Sequence, residues 1–192
     1  MTGDGTPALL AKALALHQQG KLAEAATLYR DILLRQPNDA NALHLLGVAE
    51  LHRQNPTTAV TLIDRAITIH PNAAAFYSNR GLALQDLNRF DEALVSYNRA
   101  LAINPDHAEA LNNHGNVLQT LKRYDEALGS YTRAVAIKPD LPFVLGRILH
   151  CKMLSCEWDG LDQDFLSLGN EIDAGRKASS PFSALIAPLS AA

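Results

Sequence analysis

Cysteine is nearly missing from this chain: 192 residues hold two, Cys151 and Cys156. Their spacing is neither C-x-x-C nor one that a disulfide could close within a helix, so free thiols in a reducing compartment are expected. Basic residues are few as well, and the net charge is −3 with both signs interspersed. No basic stripe with interleaved aromatics exists, which argues against a nucleic-acid partner. No run of about 18 apolar residues occurs, so no membrane span is expected. Residues 1–7 lack a basic region and Lys12 interrupts the apolar stretch after them, against a secretory leader. A cytoplasmic protein is the resulting expectation. Chemistry is also scarce. The seven histidines show no zinc-ligand spacing, no glycine-rich phosphate loop is present, and no orienting His–Asp arrangement accompanies the cysteines. No catalytic residue, metal or cofactor is expected.

What the chain has is a repeat. Residues 74–107 and 108–141 align without a gap, with 19 of 34 positions identical. Phe90-Asp91-Glu92-Ala93-Leu94 returns as Tyr124-Asp125-Glu126-Ala127-Leu128, and Ala102-Ile103-Asn104-Pro105-Asp106 as Ala136-Ile137-Lys138-Pro139-Asp140. Each unit carries two apolar helical patterns. Gly81 and Gly115 lie inside the first helix, where glycine costs about 1 kcal/mol against alanine, so a close approach there is expected. Ala93 and Ala100, like Ala127 and Ala134, share one stripe of the second helix. Phe90, Tyr97, Tyr124 and Tyr131 are expected to fill the wider space between units. Pro105 and Pro139 end the second helix, and the acids of its first turn suit the helix dipole.

A 34-residue period with these residues resembles the tetratricopeptide repeat (TPR) family. The resemblance implies an all-α, right-handed superhelix of antiparallel helix pairs that binds proteins or peptides. Carried backwards, the frame gives residues 40–73, with Gly47, Ala59, Ile63, Ala66 and Pro71 in register. Another step gives residues 6–39, with Ala13, Ala25, Tyr29, Ile32 and Pro37. Residues 1–5 read as a disordered start. Gly20 is expected in the first inter-helix turn, and Asn55-Pro56 in the second. After residue 141 the pattern decays but keeps phase. Leu149 takes the glycine position, Trp158 that of Phe90, and Leu161, Phe165 and Leu168 those of Ala93, Tyr97 and Ala100. Residues 142–173 are therefore read as a degenerate fifth pair that caps the stack.

Residues 174–192 leave the pattern, with an apolar run from Pro181 to Leu189. It is expected either to fold back on the stack or, as the favoured reading, to start a further domain, and two copies could also pair through it. Cys156-Glu157-Trp158-Asp159, Leu161, Ile172, Gly175 and Pro181-Phe182-Ser183-Ala184-Leu185 resemble the junction in O-linked N-acetylglucosamine transferases and SPINDLY-like proteins. There a TPR array runs into a glycosyltransferase domain. The resemblance implies a substrate-recognition arm of a protein O-glycosyltransferase, without catalytic residues of its own. The alternative is a stand-alone TPR scaffold bridging other proteins.

In TPR arrays the first helix of each pair lines a concave groove, so candidate binding residues are taken from those helices. They are Asn41, His44, Val48 and His52 in the second repeat, and Ser78, Leu82, Gln85 and Asp86 in the third. The fourth supplies Glu109, Asn112, Asn116, Gln119 and Thr120. Asn79 and Asn113 occupy one repeat position, where the glycosyltransferase resemblance implies a ladder of asparagines holding an extended peptide. A side-chain amide both donates and accepts, so such a ladder could grip a main chain of any sequence. Chaperone adaptors clamp a terminal carboxylate with lysine, arginine and asparagine at fixed groove positions, which here hold Leu10, His44, Asn41, Ala75 and Arg80 among others, and no clamp assembles from them.

Overall fold

The computed structural model describes residues 5–157 and 159–175. Ten helices account for most of them: α1 (Thr6–Gln18), α2 (Leu22–Arg35), α3 (Ala40–His52), α4 (Pro56–Ile69), α5 (Ala74–Asp86), α6 (Phe90–Ile103), α7 (Ala108–Thr120), α8 (Tyr124–Ile137), α9 (Val144–Leu154) and α10 (Leu161–Asp173). No strand occurs among the described residues. The first helices of the pairs α1–α2, α3–α4, α5–α6 and α7–α8 open at Thr6, Ala40, Ala74 and Ala108, 34 residues apart. Every second helix stops two residues before Pro37, Pro71, Pro105 or Pro139, as a residue that disfavours helix in its predecessor dictates. The helices fall into two compact units, Met1–Ile103 with three repeats and Asn104–Ala192 with the fourth repeat and the fifth pair.

In the first unit, one apolar cluster gathers Ala13, Ala25, Ala26, Tyr29 and Ile32 with Ala42, Leu46 and Ala49. A second joins Ala40, Leu43, Ile63 and Ala66 to Phe76. Glu50 interrupts this logic. It stands where the other repeats have Leu16, Leu84 and Leu118, and it is buried at 3% exposure. Its carboxylate accepts from Arg30, Arg53 and Asn55, which supplies the partners a buried charge requires.

The glycines explain themselves by what faces them. A Cβ on Gly81 would lie 2.7 Å from the Tyr97 ring, and one on Gly115 2.7 Å from the Tyr131 ring. Both tyrosines are fully buried. Each ring packs against the first helix of its own repeat. The tyrosine is the bulky partner and the glycine is the room made for it. In the second repeat the pair is Gly47 and Ile63, again at 2.7 Å.

The turn between the helices of a pair has one left-handed residue, always at the same frame position: Gly20, Gln54, Asn88, Lys122 and Cys156. In the second repeat that residue is Gln54. Asn55 and Pro56, expected to make the turn, instead precede and open α4. The acids of the second helices also do more than suit a dipole: Glu92 and Glu126 accept two bonds each from Arg89 and Arg123, at 2.6–2.7 Å.

The fifth pair keeps the frame of the turn but opens differently. Its first helix starts at Val144 behind Phe143, which is left-handed (φ 66°). Leu149 and Leu168 are buried together, with Leu161 and Phe165 packed on them. Residues 1–4, Trp158 and residues 176–192 lie outside the described residues, and with them the disordered start, the Trp158 assignment and the apolar tail. Cys151 and Cys156 are free.

Candidate binding face on the first helices

The first helices of the first unit are linked by side chains 35 residues apart, one repeat and one residue. His17 Nε2 lies 3.1 Å from His52 Nδ1, with the rings at 86°. Asn79 Nδ2 lies 2.8 Å from His44 Nε2. An amide nitrogen only donates, so His44 accepts there and carries its proton on Nδ1. The His44 ring stacks on Phe76 at 4.4 Å and is 9% exposed. Burial lowers its pKa from 6.5 to about 4, so it is neutral at physiological pH. Burial, and then the His52 charge, also lower that of His17.

His44 was expected to line an open groove, and its burial shows why it does not: its ring is the plate on which Phe76 packs. Ser78 is likewise buried, at 5% exposure. Asn41, His52 and Asp86 are exposed, and Val48, Leu82, Asn79 and Gln85 half-buried. Gln85 accepts from the Tyr97 hydroxyl at 3.2 Å. In the first repeat His17 replaces that glutamine. The buried Tyr29 hydroxyl then has no hydrogen-bond partner among the described residues.

The second unit concentrates the amides. The Tyr131 hydroxyl lies 2.8 Å from both Asn116 Oδ1 and Gln119 Oε1. A phenol has one proton to donate, so one amide receives it and the other is free to turn its nitrogen inward. Gln119 Nε2 lies 2.8 Å from His150 Nδ1. Arg147 Nη1 donates to Asn112 Oδ1 at 2.9 Å, and Asn112 Nδ2 to Asn113 Oδ1 at 3.3 Å. Thr120 turns back to the Asn116 carbonyl. Glu109 is held by Lys138 at 2.9 Å, which lowers its pKa. Arg147 and His150, both on α9, were missed in the sequence. The available signal was spacing: Arg147 follows Asn112 by 35, as Asn79 follows His44.

Other surfaces differ in character. An open cleft of about 440 Å³ among α4, α5 and α6 is lined by Asp64, Ile67, Tyr77, Arg80, Val95 and Arg99. Arg80 is consumed there by Asp64 at 2.6 Å and Ser96 at 2.8 Å, and Arg99 lies over the Tyr77 ring. Among the described residues, no three His, Cys, Asp or Glu side chains gather as a metal site requires. Burial raises the Cys151 thiol to about 11, which keeps it protonated. No described helix is long and apolar enough to cross a membrane. The arrangement offers hydrogen bonds and one side of a polar face, which is the equipment of recognition.

These features define a helix-pair repeat protein of the protein-interaction class. Tetratricopeptide repeat family models match residues 10–74 and 72–140, together more than half of the chain, and the chain belongs to that family. Among solved structures, the MamA protein is similar at 21% identity with a TM-score of 0.75, over 91% of this chain and 96% of that one. PilW, a type IV pilus biogenesis factor, is similar at 20% identity with a TM-score of 0.77, over 90% and 80%. PilF from Pseudomonas aeruginosa is similar at 20% identity with a TM-score of 0.76, over 83% and 73%. These likenesses concern the fold. Among curated proteins none matches the sequence significantly.

Proposed function

We propose that this chain is a scaffold that holds extended segments of partner proteins against the polar face of its first helices. The observation that carries the reading is the row of side chains joining successive first helices: His17–His52 and His44–Asn79 in one unit, Asn112–Arg147 and Gln119–His150 in the other. Asparagine is a poor helix former, and α7 nonetheless carries Asn112, Asn113 and Asn116. Spending helix propensity on amides is sensible where amides meet a ligand. PilW is named as a biogenesis factor, and a part in assembly fits a scaffold. The glycosyltransferase resemblance rests on residues that include Trp158 and Pro181–Leu185, outside the described part, and no observation favours it over the scaffold.

Asn79 and Asn113 remain the proposed ladder positions. A peptide selected by the wild-type chain from a random ten-residue library should bind an Asn79→Ala/Asn113→Ala variant about tenfold more weakly, the effect of one or two lost hydrogen bonds. Helicity by circular dichroism should hardly change. Equal affinity for both proteins would remove the ladder.

A further inference from the structure

We infer that the α7–α9 face selects segments bearing an acidic side chain, with Arg147 as the anchor for its carboxylate. This rests on the first helices being the peptide-binding face and adds what that face prefers. The amides here are not evenly two-sided, because oxygens of Asn112 and Asn113 are already engaged. Asn112 Oδ1 is taken by Arg147 and Asn113 Oδ1 by Asn112, while the one Tyr131 hydroxyl proton goes to Asn116 or Gln119. The Nδ2 group of Asn113 has no partner among the described residues. A face whose acceptors are engaged and whose donors are spare suits a ligand rich in acceptors.

The charge has the matching sign. Arg30, Arg53, Arg80, Arg89 and Arg123 each pair with a carboxylate. Arg147 has no carboxylate within reach among the described residues and donates only to the neutral Asn112, which leaves most of its five N–H groups unspent. Glu109, the acid of α7, is already neutralised by Lys138. Arg147 is half-buried, so its attraction for an anion is less screened than at full exposure. A planar guanidinium with spare parallel donors matches one carboxylate. One guanidinium on a chain of net charge −3 does not match a polyanion.

The test is selection of random ten-residue peptides on the wild-type protein, followed by affinity measurement on Arg147→Gln and Arg147→Lys. The selected peptides should contain more Asp and Glu than the input. Arg147→Gln should lose about tenfold affinity for them, the size of one charge-assisted hydrogen bond, and Arg147→Lys should lose less. Selected peptides without acidic enrichment would overturn the inference and leave the peptide-binding face standing. Failure to select any peptide would overturn both. The composition of the wild-type selection decides even if a variant folds poorly.

Discussion

His44 shows how one side chain can serve packing at the expense of acid stability. Its ring is neutral in the fold, stacked on Phe76 and bonded by Asn79. Its pKa is depressed to about 4 from 6.5, so below pH 6.5 the unfolded chain takes up a proton that the folded chain refuses. The stability due to neutral His44 is therefore complete above 6.5 and is lost as pH falls toward 4. At roughly 1.4 kcal/mol per pH unit, the loss reaches about 2–3 kcal/mol. Burial depresses His17 and His114 too, which adds in the same direction. Urea unfolding at pH 7 and pH 5 should show a clear fall for the wild type and a smaller one for His44→Gln. Equal falls would mean that His44 is not the group concerned.

At the scale of helices, the frame was legible because few residues carry it. The prolines mark where second helices stop, and the glycines mark where something large must enter. The identity of the visitor was not legible. Apolar periodicity says which side of a helix faces inward but not which neighbour it meets, so Gly81 and Gly115 were not foreseen as the partners of the Tyr97 and Tyr131 rings. The left-handed turn position escaped as well, since only Gly20 advertises it, while Gln54, Lys122 and Cys156 bear it against their preference. Two glycines of the fourth repeat separate room made for a ring from simple permissiveness. Gly115→Ala would place its Cβ 2.7 Å from the Tyr131 ring, and overpacking of this kind costs about 1–3 kcal/mol. Gly129, on α8, is exposed with nothing within 4 Å of a Cβ, so Gly129→Ala should gain about 1 kcal/mol. Denaturant midpoints should move in opposite directions. A shift of the same sign in both would refute the packing account of Gly115.

For the molecule as a whole, the sequence named first-helix residues as candidates for binding without showing which of them stay open to solvent. His44 and Ser78 turned inward, because a helix flanked on two sides leaves only a narrow stripe open. Arg147 and His150 entered from a fifth pair whose decayed pattern gave no reason to search it. The amides were visible; their orientation was not, since it depends on partners up to 35 residues away. The central claim is that ligands meet the first-helix face. The most direct test is an NMR titration of the isotope-labelled chain with a library-selected peptide. The account predicts that the side-chain amides of Asn113 and Asn116 and the guanidinium of Arg147 shift together, while the Val95–Arg99 cleft stays still. Shifts confined to that cleft, or to the second helices, would contradict it.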